Sequence, residues 1–200
     1  MKNTYRTIDV KSECLLKEKQ SKFYGYAFPI SDIESVKFSI DSLKKMHHSA
    51  RHFCYAYQIG VQDLVFRVND DGEPRNSAGT PIYGQIQSFE LTNILIVVVR
   101  YFGGTKLGIG GLVSAYKECA KLTIESNTII IKEITIKVQI KFDYLLMNKV
   151  MRVIKENNLK ILNQQMDTSC VFELLTTRQN NDIVCDQFNR YLGIVISIKQ

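Results

Sequence analysis

No run of apolar residues in this chain approaches the roughly 20 that a membrane span requires, and the N-terminus is polar, so neither an anchor nor a signal peptide is expected. No Cys-x-x-Cys pair occurs. The five cysteines, Cys14, Cys54, Cys119, Cys170 and Cys185, are odd in number and widely spaced. That pattern argues against a disulfide framework, a zinc ribbon and redox chemistry, and makes reduced, mostly buried thiols in the cytoplasm the expectation. Neither Gly-x-Gly-x-x-Gly nor a P-loop is present, and no motif calls for a cofactor. No basic run marks a nucleic-acid arm. The net charge of +6 is spread evenly, with 16 basic and 13 acidic side chains in residues 1–130 and 10 and 7 in residues 131–200. The 200 residues are 45% apolar, enough for one large or two small well-cored domains.

The stretch Val97–Tyr116 organises the rest. Ile94–Val99 is an unbroken apolar run, as in a strand buried on both faces, and it stops at Arg100, whose charge must meet a cavity or a partner. Gly103, Gly104, Gly108, Gly110 and Gly111 then lead into a helical pattern carrying Leu112, Val113, Tyr116, Cys119 and Leu122. A strand–glycine–helix junction can hold a phosphate or carboxylate on free backbone N–H groups. Equally, such glycines can serve only tight turns and close packing.

In chain order, residues 12–17 and 23–29 read as a hairpin with a charged tip at 18–22. Ser31 and Glu34 form a capping box for a helix with Ile33, Val36, Phe38, Ile40 and Leu43 on its apolar side. A second hairpin is predicted over 53–59 and 64–68. Residues 69–80, with three carboxylates, an arginine, two glycines and a proline, form a long loop of the kind that carries function. Thr80-Pro81 then caps a short helix before the central strand. From Ile134 the pattern restarts with strict alternation and gives the order β-α-β-β-α-β, a ferredoxin-like unit over 134–200 after an N-terminal domain over 1–130, joined by a crossing at 129–133.

Several constellations carry chemistry. His47, His48, His52 and Cys54 include metal-ligand types, although the first two fall at a helix end and the last two on a strand. Asp70, Asp71 and Glu73 suit Mg²⁺ binding or acid–base work, and equally well an Asp-Gly and Glu-Pro turn. Tyr55/Tyr57 and Tyr101/Phe102 can stack bases or fill a core.

Four motifs occur together over about 80 residues. They are Ala50-Arg51-His52-Phe53-Cys54-Tyr55-Ala56-Tyr57, Asp70-Asp71-Gly72-Glu73-Pro74, Ser77-Ala78-Gly79-Thr80-Pro81, and Val98-Val99-Arg100-Tyr101-Phe102-Gly103-Gly104 followed by Leu107-Gly108 and Gly110-Gly111-Leu112. Their order and spacing resemble the bacterial branch of the IMPACT family, the YigZ-like proteins. The resemblance implies an α+β chain with an N-terminal ribosomal-protein-S5-domain-2-like domain and a C-terminal ferredoxin-like domain similar to the last domain of elongation factor G. Eukaryotic relatives are translational regulators. One departure is Asn76-Ser77-Ala78-Gly79, where the family more commonly has Gly-Thr-Ala-Gly.

The expected role is therefore a non-enzymatic, translation-associated protein that binds the ribosome or structured RNA. The expected cleft comprises Arg51, His52, Asp71, Glu73, Arg100, Gly103, Gly104, Lys106, Gly108, Gly110 and Gly111, with a small anion as a possible ligand of the glycine loop. Two alternatives from other classes stand beside it: an enzyme acting on a phosphorylated or carboxylated small molecule at Arg100, and a protein–protein adaptor.

Overall fold

In the computed structural model, which describes residues 2–167 and 169–199, the apolar run becomes β6 (Ile94–Tyr101), the middle strand of a five-stranded antiparallel sheet. Its neighbours are β3 (Ser21–Pro29) and β4 (His52–Ile59), flanked by β2 (Ser12–Glu18) and β5 (Val65–Asn69). Helices cover both faces, which is why β6 can be apolar on both sides from Ile94 to Val99. Ile94, Ile96 and Val98 join the core with α2 (Gly79–Ser88) and α3 (Gly108–Glu125). Leu95, Val97 and Val99 face the other way, packed with Val36 and Leu43 of α1 (Ile33–Met46). By the two-residue period of a strand, Arg100 belongs on the α2/α3 face.

The β2–β3 hairpin turns on Lys19 and Gln20 alone, both at positive φ (43° and 67°), so the predicted tip is tighter than residues 18–22. α1 is capped by Asp32, not Ser31: its Oδ1 accepts from Ser35 N at 2.7 Å, and Ser31 Oγ donates to its other oxygen. A carboxylate is the stronger acceptor at the positive helix end. Phe38 is 78% exposed because it lies about 200° around the helix from buried Val36. Ile33 is also exposed.

His47 closes α1 from inside the protein. Its Nε2 lies 2.7 Å from Tyr26 Oη and its Nδ1 3.0 Å from Tyr101 Oη, so both ring nitrogens are committed. Burial, reinforced by Lys11, pulls its pKa below the ordinary 6.5. The unfolded chain therefore takes up a proton near pH 6.5 that the folded chain resists, and stability falls as the pH drops below that value. Melting temperatures between pH 7.5 and 5 should drop more for the parent than for His47→Gln; parallel losses would contradict this.

The remaining strands and helices begin with β7 (Ile129–Glu133), which pairs with β1 (Thr4–Ile8) in a two-stranded sheet. Residues 5–132 form one compact unit, and the remaining described residues a second. The second unit runs β8 (Thr135–Phe142), α4 (Met147–Glu156), β9 (Lys160–Met166), β10 (Cys170–Thr177), α5 (Asn181–Asn189) and β11 (Val195–Lys199). Its sheet order is β11-β8-β10-β9, antiparallel throughout. Val138, Ile140 and Phe142 meet Val150, Val153 and Ile154 of α4 and Phe188 of α5 in one core. Leu145 is 89% exposed because residues 144–146 form a separate 3₁₀ turn before α4.

Candidate functional site

The loop between β5 and α2 is held by its own carboxylates. Asp70 Oδ2 accepts from Asn76 N at 2.8 Å, and its Oδ1 accepts from Ala78 N and Gly79 N at 3.0 and 2.9 Å. Asp70 thereby caps α2 from eight residues upstream, in place of the expected cap Thr80, which lies inside the first turn. Asp71 Oδ2 accepts from Phe53 N at 2.7 Å, and its carbonyl accepts from His52 Nδ1 at 2.9 Å. Asp71 and Gly72 sit at φ 39° and 85°. Asn76 has φ 62°, a conformation that asparagine tolerates better than most residues, so the departure from the family's glycine keeps this backbone. Ser77 Oγ donates to Pro74 O, as a threonine there could.

Glu73 points inward. Its Oε1 accepts from Arg100 Nη1 at 2.6 Å and from Tyr116 Oη at 2.8 Å, with both charged side chains under 10% exposed. Arg100 Nη2 lies 3.5 Å from Ser21 Oγ, which also accepts from Gly103 N at 3.2 Å. The guanidinium stands 5.4 Å from the Phe23 ring and 5.6 Å from Phe102, and its Nε has no hydrogen-bond partner among the described residues. Cys54 Sγ reaches Asp70 O at 3.0 Å and Tyr116 Oη at 3.2 Å. Burial pushes both the Cys54 thiol and the Tyr116 phenol up, so both keep their protons as donors. One network thus locks the loop, β3, β4, β6 and α3 together.

Of the sequence-predicted residues, His52, Asp71, Glu73, Arg100 and Gly103 are joined by these contacts. Arg51, Lys106, Gly104, Gly108 and Gly110 are exposed and lie beyond them. Gly103 is structural, since a Cβ there would collide with the backbone of Gln20 and Ser21. Gly104 and Gly108 hold positive φ, and a Cβ on Gly111 would crowd Leu107. Gly110 has open space around it. Gly110→Ala should therefore leave stability unchanged or raise it by up to about 1 kcal/mol, whereas Gly103→Ala should lower it clearly. Denaturant midpoints of the two variants check this, and equal losses would contradict it.

Sequence reasoning missed Ser21, and it placed Tyr116 and Cys54 elsewhere. The available signal was Tyr116, a phenol on an apolar helix face, which must find a partner when buried. Among the described residues no group of three or more His, Cys, Asp or Glu is placed to hold a metal ion. Beyond the network, Gln20, Lys22, Tyr24, Tyr101 and Phe102 line a depression of about 260 Å³, and Phe102 is 56% exposed.

Comparison with known proteins adds to this geometry. The Impact N-terminal domain matches residues 19–124. The IMPACT family member YvyE of Bacillus subtilis (strain 168) is 31% identical over 157 residues, 78% of this chain and 72% of that protein. The IMPACT family member YigZ of Escherichia coli (strain K12) is 39% identical over 100 residues, and the match spans about half of each protein (49%). A crystal structure described as that of a hypothetical protein superposes with a TM-score of 0.78 over 99% of this chain and 97% of its own, at 24% identity, and so shares the fold.

Proposed function

Since the chain belongs to the IMPACT family, we propose that it is a non-enzymatic, translation-associated regulator that binds structured RNA or the ribosome through the surface around the buried Glu73–Arg100 pair. The observation carrying this reading is the division of labour in the network. Glu73 takes up the Arg100 charge, so a small anion at that guanidinium would have to displace the carboxylate. Arg100, Glu73, Asp70 and Asp71 then shape the surface, and exposed residues beside them make the contacts.

Arg51, Arg75 and Lys106 are exposed and lie one, two and three residues from His52, Glu73 and Gly103. They supply phosphate partners. The start of α3 offers backbone N–H groups, because its cap Leu107 has no side-chain acceptor. Phe102 and Tyr101, with Lys22, can stack an unpaired base in the depression they line.

We further infer that residues 5–132 adopt the S5-domain-2-like arrangement and that the second unit is ferredoxin-like, a reading supported by its βαββαβ order and antiparallel sheet. Lys137 and Lys141 lie on its exposed face without an aromatic beside them on that strand, so that unit suits backbone contacts more than base reading.

Affinity capture from cells lysed at low salt tests the proposal. Ribosomal particles or structured RNA should be recovered with the parent and depleted with Arg51→Ala/Arg75→Ala/Lys106→Ala. Recovery of a phosphorylated or carboxylated metabolite without nucleic acid would favour the enzyme reading instead.

A further inference from the structure

Two cysteines 105 positions apart in sequence meet at the edge of the five-stranded sheet. Cys14 sits half-buried on the edge strand β2, and Cys119 is fully buried on α3, with their sulfurs 3.8 Å apart. Thr123 Oγ1 lies 3.1 Å from the Cys14 sulfur. The cross-strand partner of Cys14 is Gly25, which leaves the space these side chains occupy. A Cβ there would collide with Thr123 Oγ1 and come within 2.9 Å of Cys119 Sγ and 3.1 Å of Cys14 Sγ. Glycine in the interior of a strand weakens it, and here it makes room for a thiol pair.

We propose that Cys14 and Cys119 are a hydroperoxide-responsive pair, in which Cys14 is oxidised first and Cys119 resolves it to a disulfide tying β2 to α3. In the first step the Cys14 thiolate attacks one oxygen of hydrogen peroxide. The O–O bond breaks, hydroxide leaves and is protonated to water, and Cys14 becomes a sulfenic acid. In the second step the Cys119 sulfur attacks the Cys14 sulfur, the S–O bond breaks, and hydroxide departs as water with the Cys119 proton. Two electrons pass from the thiols to peroxide, giving one disulfide and two waters.

The roles follow from environment. The hydrogen bond from Cys119, with help from Thr123 and the Gly25 backbone and against the effect of burial, lowers the Cys14 thiol to about 6. The same bond, together with burial, holds the Cys119 thiol protonated. Cys54 and Cys185 are both pushed up, chiefly by burial, and do not compete at neutral pH. Joining the sulfurs requires a closure of roughly 1.8 Å, on the scale of side-chain rotation.

The full chain treated with hydrogen peroxide and digested with trypsin without reductant should yield peptides 12–17 and 118–121 linked together, from a parent about 2 Da lighter. Cys119→Ser should instead trap a dimedone-reactive Cys14, and Cys14→Ser should give neither product. Because Cys119 lies in the core, a measurement on the parent stands beside these variants. The alkylation rate of Cys14 should rise through an inflection at about 6. No 12–17/118–121 linkage, linkage through Cys170 or Cys185, or a Cys14 inflection in the ordinary thiol range near about 8.5 would overturn the proposal.

Discussion

Glu73→Ala is expected to cost about 3–5 kcal/mol, the typical penalty for removing one partner of a buried ion pair and leaving the other charge uncompensated. The geometry favours a value in that range. Arg100 is 6% exposed, its Nε has no partner among the described residues, and the substitution would take away its closest acceptor. Tyr116 Oη would lose its acceptor as well. Urea unfolding of the parent, Glu73→Ala and the double variant Glu73→Ala/Arg100→Met separates the causes. The double variant should recover much of the loss, because no buried charge is then stranded. A loss below about 1 kcal/mol for Glu73→Ala, the scale of an exposed pair, would mean that the carboxylate is solvated and the network is not closed.

Asp70→Ala ranks next, at about 2–4 kcal/mol, because three backbone donors lose a charged acceptor together and Ala78 and Gly79 are buried. The loss should fall locally. Hydrogen exchange is expected to speed up at Asn76, Ala78 and Gly79 and through the first turn of α2, while β6 stays protected. Uniform acceleration across the sheet, or none, would contradict the assignment of Asp70 as a helix cap. Asp70→Asn should lose less, since the amide oxygen still accepts.

These two residues also mark what the sequence could reveal. The run Ile94–Val99 ending at Arg100 was legible as a doubly buried strand with a charge needing a partner, because apolar continuity and charge are local facts. The alternation from Ile134 likewise made the second unit's strands readable. The two hairpins of the first sheet were legible too, but that β6 joins them antiparallel to both β3 and β4 was not, since helices on both faces leave the same apolar signature as a parallel strand. Asp70, Asp71 and Glu73 stood out as a carboxylate cluster, but their separate tasks did not. Each depends on which partner the fold brings to it: the start of α2 eight residues on for Asp70, and, from further along the chain, Phe53 of β4 for Asp71 and Arg100 with Tyr116 for Glu73. Ser31 and Thr80 matched capping patterns, yet nearby aspartates took both roles through stronger acceptors. The Cys14–Cys119 encounter was invisible for the same reason, since nothing local connects β2 to α3.

The proposed function rests on exposed cations working from a rigid, internally neutralised base, and one measurement addresses that directly. Affinity for purified ribosomes and for a structured RNA is measured across a salt series for the parent, Arg51→Ala, Arg75→Ala, Lys106→Ala and Gly110→Ala. Binding should weaken steeply with salt, and each lost phosphate contact should lower the magnitude of the log–log slope by somewhat under one, about 0.7–0.9. Gly110→Ala should fold at least as well as the parent yet bind more weakly if RNA approaches the start of α3. Absence of binding at low salt, or binding indifferent to both salt and these substitutions, would contradict the account.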